Sequence, residues 1–168
     1  MRTALNWLYE GCGKLAALGL ILIGVFVLAQ VVGRLTGIPV SGTDDLAGYA
    51  MASSSFLGLA HTFNRGAHVR VTLVMDQLSP AGQRYLDVVA LLACVLVIGF
   101  LLWYTADLTI ESAILGEVAV GLLRIPTAVP QAFMTLGVAA LFIALVDALV
   151  LRLRGAVPEY ALGQNEQG

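Results

Sequence analysis

The stretch Leu15-Ala16-Ala17-Leu18-Gly19-Leu20-Ile21-Leu22-Ile23-Gly24-Val25-Phe26-Val27-Leu28-Ala29-Gln30-Val31-Val32-Gly33, bounded by Lys14 and Arg34, contains no charged residue. As a helix it rises roughly 28 Å, close to the hydrocarbon thickness of a bilayer. Three more stretches share this character: Leu46–Phe63, Val88–Ala106 and Val129–Val150. None of the four holds a Lys, Arg or Glu, and their only acid is Asp147, near the end of the last. With 59% hydrophobic residues in 168, the chain reads as an all-α membrane protein with four transmembrane helices. Residues 1–155 form one four-helix domain in this reading, followed by a polar tail, 156–168.

The basic residues orient it. With the N-terminus inside, Arg2, Lys14, Arg65, Arg70, Arg84, Arg152 and Arg154 fall on the cytoplasmic side, and only Arg34 and Arg124 fall outside. All lie in short loops or beside span ends, where the positive-inside rule acts. The outer segments instead carry Asp44, Asp45, Asp107, Glu111 and Glu117. Both termini are therefore expected in the cytoplasm. The first span runs a full membrane thickness into Arg34 with no small-residue cleavage site behind it, so it is read as a retained helix.

Two segments look suited to lying flat in the headgroup layer. Leu5, Leu8 and Cys12 fall at i, i+3 and i+7 with Arg2, Asn6 and Glu10 on a wet side, ahead of a turn at Gly11–Gly13. In the inner loop, Val69, Val71, Leu73, Val74 and Leu78 suggest a second interfacial helix. Ser79-Pro80 is a start signal for the third helix, and Pro130 is expected to open the fourth. Arg84 and Asp87 stand three apart, ready to pair, and Arg152 is placed to reach back to Asp147. Ser41 or Thr43 can cap the second helix, with Asp44 and Asp45 in its favourable first turn. That helix is rich in small residues, and Gly48, Ala52, Ser55 and Gly58 are expected to allow close helix packing.

Several functional classes are disfavoured. A net charge of −2 gives no reason to expect a nucleic-acid partner. Cys12 and Cys94 are separated by the topology, and neither belongs to a Cys/His cluster, so no disulfide, metal site or other cofactor is expected. His61 and His68 lie at one end of one helix and cannot sandwich a haem iron. No GxSxG, HExxH or triad pattern occurs, so no catalytic residues are assigned and the chain is not read as an enzyme. Small four-helix exporters depend on a carboxylate at mid-membrane, and the centres of these spans have none. The chain is not expected to carry a solute alone.

Certain residues carry a resemblance. Thr43-Asp44-Asp45-Leu46-Ala47-Gly48-Tyr49, then Phe56-Leu57-Gly58-Leu59-Ala60, then Arg65-Gly66-Ala67-His68-Val69-Arg70-Val71 and Met75-Asp76-Gln77-Leu78 resemble the small, DctQ-like membrane subunit of tripartite ATP-independent periplasmic (TRAP) transporters. Ile125-Pro126, Pro130 and Gly137 are similar to that family too. Two departures occur: Asp45 stands where the family more often has Glu, and Gly42-Thr43 stands where it usually has Trp. The resemblance implies a bacterial inner-membrane importer for an organic anion such as a carboxylate. A periplasmic receptor captures the solute, a large sodium-coupled elevator subunit carries it, and the small subunit braces the large one and helps dock the receptor. On that basis Arg65, Gly66, His68 and Arg70 are candidates for contact with the large subunit or with lipid. Arg34, Asp44, Asp45, Glu111 and Glu117 are candidates for receptor docking. The competing reading is a stand-alone four-helix membrane protein that assembles or regulates another complex.

Overall fold

The computed structural model describes residues 2–38, 40–64, 80–119, 121 and 123–154. It is all-helical: α1 (Arg2–Thr36), α2 (Thr43–Asn64), α3 (Pro80–Leu115) and α4 (Ala128–Leu153). Three of the four, within Trp7–Thr36, Gly82–Leu115 and Ala128–Leu153, are long and apolar enough to cross a membrane. α2 is less apolar because Ser, Thr and Gly replace large side chains along it.

The helices form a row, not a closed bundle. Extensive packing runs from α1 to α2, from α2 to α4 and from α4 to α3, and α1 and α4 meet only slightly. α1 and α3 are therefore the edges, and most of their large apolar side chains face outward, among them Leu20, Ile21, Leu28, Leu96, Val97 and Phe100. In a lipid solvent these exposures are ordinary, and helix association depends instead on shape and hydrogen bonding. The buried core joins Tyr9, Cys12 and Ala16 of α1 to Leu57 and Ala60 of α2, to Ala140, Leu141, Ala144, Leu145 and Ala148 of α4, and to Leu91 of α3.

Glycines set the distances across the row. A Cβ at Gly137 of α4 would stand 2.5 Å from the backbone carbon of Phe56, so α4 lies directly on the α2 main chain. A Cβ at Gly19 of α1 would meet Ser54 at 2.8 Å, and one at Gly13 would meet the His61 ring at 2.6 Å. The expected stripe on α2 does not carry these contacts. Gly48 and Ser55 are exposed, and Gly48 has no non-local atom near it. Gly58 does face Ala16 of α1. The reason is angular: at 100° per residue, Gly48 and Ser55 share a face with Met51, Leu59 and Thr62, away from both neighbouring helices. Much of the space for close approach comes from glycines of α1 and α4.

The N-terminal segment also departs from expectation. It is not a separate flat helix, because α1 runs unbroken through Gly11–Gly13. Tyr9 and Cys12 are buried, and the His61 imidazole donates through Nδ1 to the Tyr9 carbonyl over 3.1 Å. These contacts with α2 hold the segment in line with the span. The proposed inner-loop helix falls at residues 65–79, outside the described residues. α3 extends well past Ala106 because Thr105 and Thr109 bond to Thr135 of α4 and give the helix a reason to continue after the first acid. α4 begins at Ala128, two residues before Pro130. A proline in the first turn sacrifices no intrahelical hydrogen bond, since the N–H groups there have no partner in the helix.

This packing makes a specific prediction. Gly137→Leu should lower stability by about 1–3 kcal/mol or more through overpacking against backbone, measured as a fall in thermal unfolding temperature in detergent. Gly24→Leu, at a position with nothing within 4 Å, should leave it nearly unchanged.

Candidate functional site

Two ends of the row carry the polar chemistry. At the acidic end, α1 stops in a Schellman motif: Gly37 takes φ +74, with its N–H bonded to Arg34 O and that of Ile38 bonded to Gly33 O. Gly42, at φ +84, then supplies the carbonyl that accepts the Leu46 N–H. Thr43 does not cap through its side chain as expected. Its hydroxyl donates backward to Val40 O over 3.2 Å, and glycine takes the cap position. Asp44 is exposed and Asp45 half-buried, both in the first turn of α2, where unsatisfied N–H groups favour negative charge.

α3 ends the same way, with Gly116 at φ +64 and Glu117 N–H bonded to Ser112 O. The following segment folds back as a short antiparallel connection. Val118 bridges Pro126, and the N–H groups of Ala119 and Thr127 donate to Ile125 O and Glu117 O at 2.9 Å each. This loop packs on the start of α2: Gly42 lies against Leu123, and Gly121 lies against the Asp45 carboxylate. Glu117, itself exposed, accepts from Ser112 Oγ at 3.0 Å.

The five acidic-end candidates thus divide. Asp45 and Glu117 have local structural contacts. Arg34, Asp44 and Glu111 are exposed, and so is Glu117 despite its bond to Ser112. Arg34 belongs to one edge helix and Glu111 to the other, so the set spans the width of the row and does not converge on a point.

At the opposite end, Asp87 of α3 is buried and paired with the Arg152 guanidinium of α4. Arg84 donates to the carbonyls of Arg152 and Leu153 at 3.4 and 3.3 Å, closing the C-terminus of α4. Both ionic expectations change as a result. Arg84 caps a neighbouring helix instead of pairing with Asp87, and Arg152 reaches across to α3 instead of back to Asp147. Five residues along a helix is a rotation of 140°, which takes Asp147 off the side that faces α3. The exposed Lys14–Glu10 pair, at 3.9 Å, contributes little. Arg65, Gly66, His68 and Arg70 lie outside the described residues.

Sequence reading missed a polar seam between α3 and α4. Thr135 Oγ1 donates to Thr105 O at 3.1 Å and stands 2.9 Å from Thr109 Oγ1, which itself donates to Thr105 O at 2.7 Å. The spacing of Thr105 and Thr109 at i and i+4 was its available signal. Among the described residues no group of three or more metal-ligating side chains occurs.

This geometry of long apolar helices, close glycine contacts and polar ends describes a membrane component, and comparison with known proteins says which. The family model for the DctQ component of tripartite ATP-independent periplasmic transporters matches residues 23–155. The chain belongs to that family. It is a small permease subunit of a TRAP transporter and a multi-pass membrane protein. It is 29% identical over 134 residues to the ectoine TRAP transporter small permease protein TeaB of Halomonas elongata, covering 77% of this chain and 69% of the relative. No solved structure matches. The family is a transporter component and not an enzyme class, and membership implies work alongside a large membrane subunit and a solute receptor.

The cross-helix ion pair is open to test. Asp87→Leu should cost about 1–3 kcal/mol by stranding a partly buried guanidinium. The double variant Asp87→Leu/Arg152→Leu should recover most of that loss in the same thermal unfolding measurement.

Proposed function

We propose that this TRAP small subunit braces a large sodium-coupled elevator subunit and helps dock the solute receptor during uptake of a small organic anion. The observation that carries the proposal is the open row of helices. Its spans lack ionisable residues at their centres, and a groove on one face is lined by apolar side chains with hydroxyls only at Tyr49, Ser53 and Ser54. Such a surface offers a carboxylate no desolvated partner. A flat row does offer a broad side wall, which suits a stationary support for a subunit that must move solute through lipid.

In this proposal all four helices span the bacterial inner membrane, both termini are cytoplasmic, and residues 1–155 act as one unit with 156–168 as a cytoplasmic tail. The exposed ridge of α2, Gly48, Met51, Ser55 and Leu59, meets the large subunit, with Ala52 and Gly58 flanking it. Small residues there allow close helix approach. Arg65, Gly66, His68 and Arg70 add contacts to the large subunit or to anionic lipid on the inner side. Arg34, Asp44, Glu111 and Glu117 face the receptor, and Asp45 holds the loop between them in shape. Family membership removes the main support for the alternative of a stand-alone assembly protein.

Proteoliposomes test the central claim. The chain together with its large subunit and receptor should take up solute when a sodium gradient is imposed, with ectoine as the first solute to try because the Halomonas elongata relative is named for it. The chain alone should move nothing, and uptake by the isolated chain would sink the support role. His68→Ala or Arg70→Ala should reduce uptake and co-purification several-fold. Orientation has its own check in a variant with Cys12 and Cys94 replaced by Ala. Ser41→Cys should react with an impermeant maleimide added outside intact cells, and Arg154→Cys should react only after permeabilisation.

A further inference from the structure

Asp147 is the only acid in the four apolar stretches, and it is half-buried. Its expected partner, Arg152, is taken by Asp87 of α3. Among the described residues Asp147 makes no hydrogen bond and no ion pair. Its direction follows from the residues that α4 sets against its neighbours. Gly137 rests on α2, and Thr135 bonds to α3. At 100° per residue, Asp147 points about 80° from Gly137 and about 120° from Thr135. Ile143 and Val150, one turn to either side of it, share that sector and are exposed. Neither α2 nor α3 covers this side of α4.

We infer that Asp147 receives the Lys or Arg side chain of a membrane helix of the large subunit. Depth selects the donor. Arg152 marks the polar end of the row, where it pairs with Asp87 and its carbonyl accepts from Arg84. Asp147 lies five residues, roughly 7.5 Å, further into the span. A carboxylate on a single methylene is too short to snorkel out over that distance, and an unpaired ion in hydrocarbon is costly. Lipid ammonium groups and dissolved cations reside at the surface, above the carboxylate. A Lys or Arg on an adjacent helix can lay its stem along apolar surface and bring a cation to this depth. A soluble receptor does not enter the membrane, so of the two partners that family membership implies, the large subunit is the one with a helix to offer. Ile143 and Val150 supply the apolar contact around the pair. Contacts between small residues alone tolerate slippage along a helix, whereas one ion pair in a poorly solvated place fixes the register. This inference rests on the support role proposed above and adds a contact on α4 to that of the α2 ridge.

The full-length chain, tagged, co-expressed with its large subunit and extracted in mild detergent, provides the test. The wild type should retain the large subunit, Asp147→Glu should retain most of it, and Asp147→Asn should lose it several-fold. The isolated Asp147→Asn chain should unfold at the wild-type temperature or above, because no bond within the chain is lost. Asp147→Lys should abolish co-purification, and changing one Lys or Arg in a membrane helix of the large subunit to Glu should restore it. Full retention by Asp147→Asn, or rescue at none of those basic positions, would overturn the inference and leave the support role standing. A lower unfolding temperature for the isolated Asp147→Asn chain would overturn it as well, since the carboxylate would then be partnered within its own chain. A wild type that brings down no large subunit would remove both readings.

Discussion

The approach of two backbones to α2 without intervening side chains is the constraint on which the rest of the structure depends. Between helices in lipid there is no hydrophobic gain comparable to that in water, because tails solvate leucine as well as another helix does. What remains is dispersion at close range and hydrogen bonding, and both fall away within a fraction of an ångström. Gly137 lets α4 rest on the main chain of Phe56, and Gly19 and Gly13 let α1 reach Ser54 and His61. These contacts lie on nearly opposite sides of α2. Two neighbours on opposite sides produce a row, and α3 extends it by joining α4 through threonine hydroxyls and the Asp87–Arg152 pair.

A row has consequences that a bundle does not. In a closed bundle the helix with the most small and polar residues would vanish into the centre. Here α2 is flanked but uncovered, and presents a ridge on one face and a groove on the other. The ridge leaves Gly48 and Ser55 exposed. The two faces of a single helix are thereby differentiated by geometry alone, with no change in overall polarity.

Much of this was legible in the residues. Four helices, their approximate limits and the acidic first turn of α2 follow from charge-free stretches and turn glycines. The resemblance carried by the Thr43–Tyr49 and Arg65–Val71 segments agrees with the family match over residues 23–155. Partner choice between helices was not legible. Asp87 looked equally able to pair with Arg84 on its own helix, and the pairing with Arg152 depends on the order of helices across the row, which no local pattern encodes. Only part of the stripe on α2 meets a neighbour within this chain, Gly58 against Ala16, for a related reason. Composition says that a helix has small residues but not which of its faces meets a neighbour, and the decisive glycines proved to be on α1 and α4. The unbroken α1 shows a third limit. Glycines at positions 11 and 13 suggested a turn, but burial of Tyr9 and Cys12 against α2 and the bond from His61 to the Tyr9 carbonyl outweigh their weak helix preference.

The same reasoning explains why the ends of the row are polar while its length is not. Ionisable groups at mid-depth would have to be satisfied internally, and a layer one helix thick has too little interior in which to do so. Asp87 is buried only because it sits at the end of the row, where Arg152 and Arg84 arrive together from helix termini. Asp45 is accommodated at the other end because a loop, free of helical geometry, can pack against its carboxylate, while Glu117 stays exposed there. Charge is thus confined to the termini by the thinness of the layer, independently of any demand of transport. Recognition by charge is then restricted to the neighbourhood of the two membrane surfaces, and recognition at mid-depth has to proceed through shape.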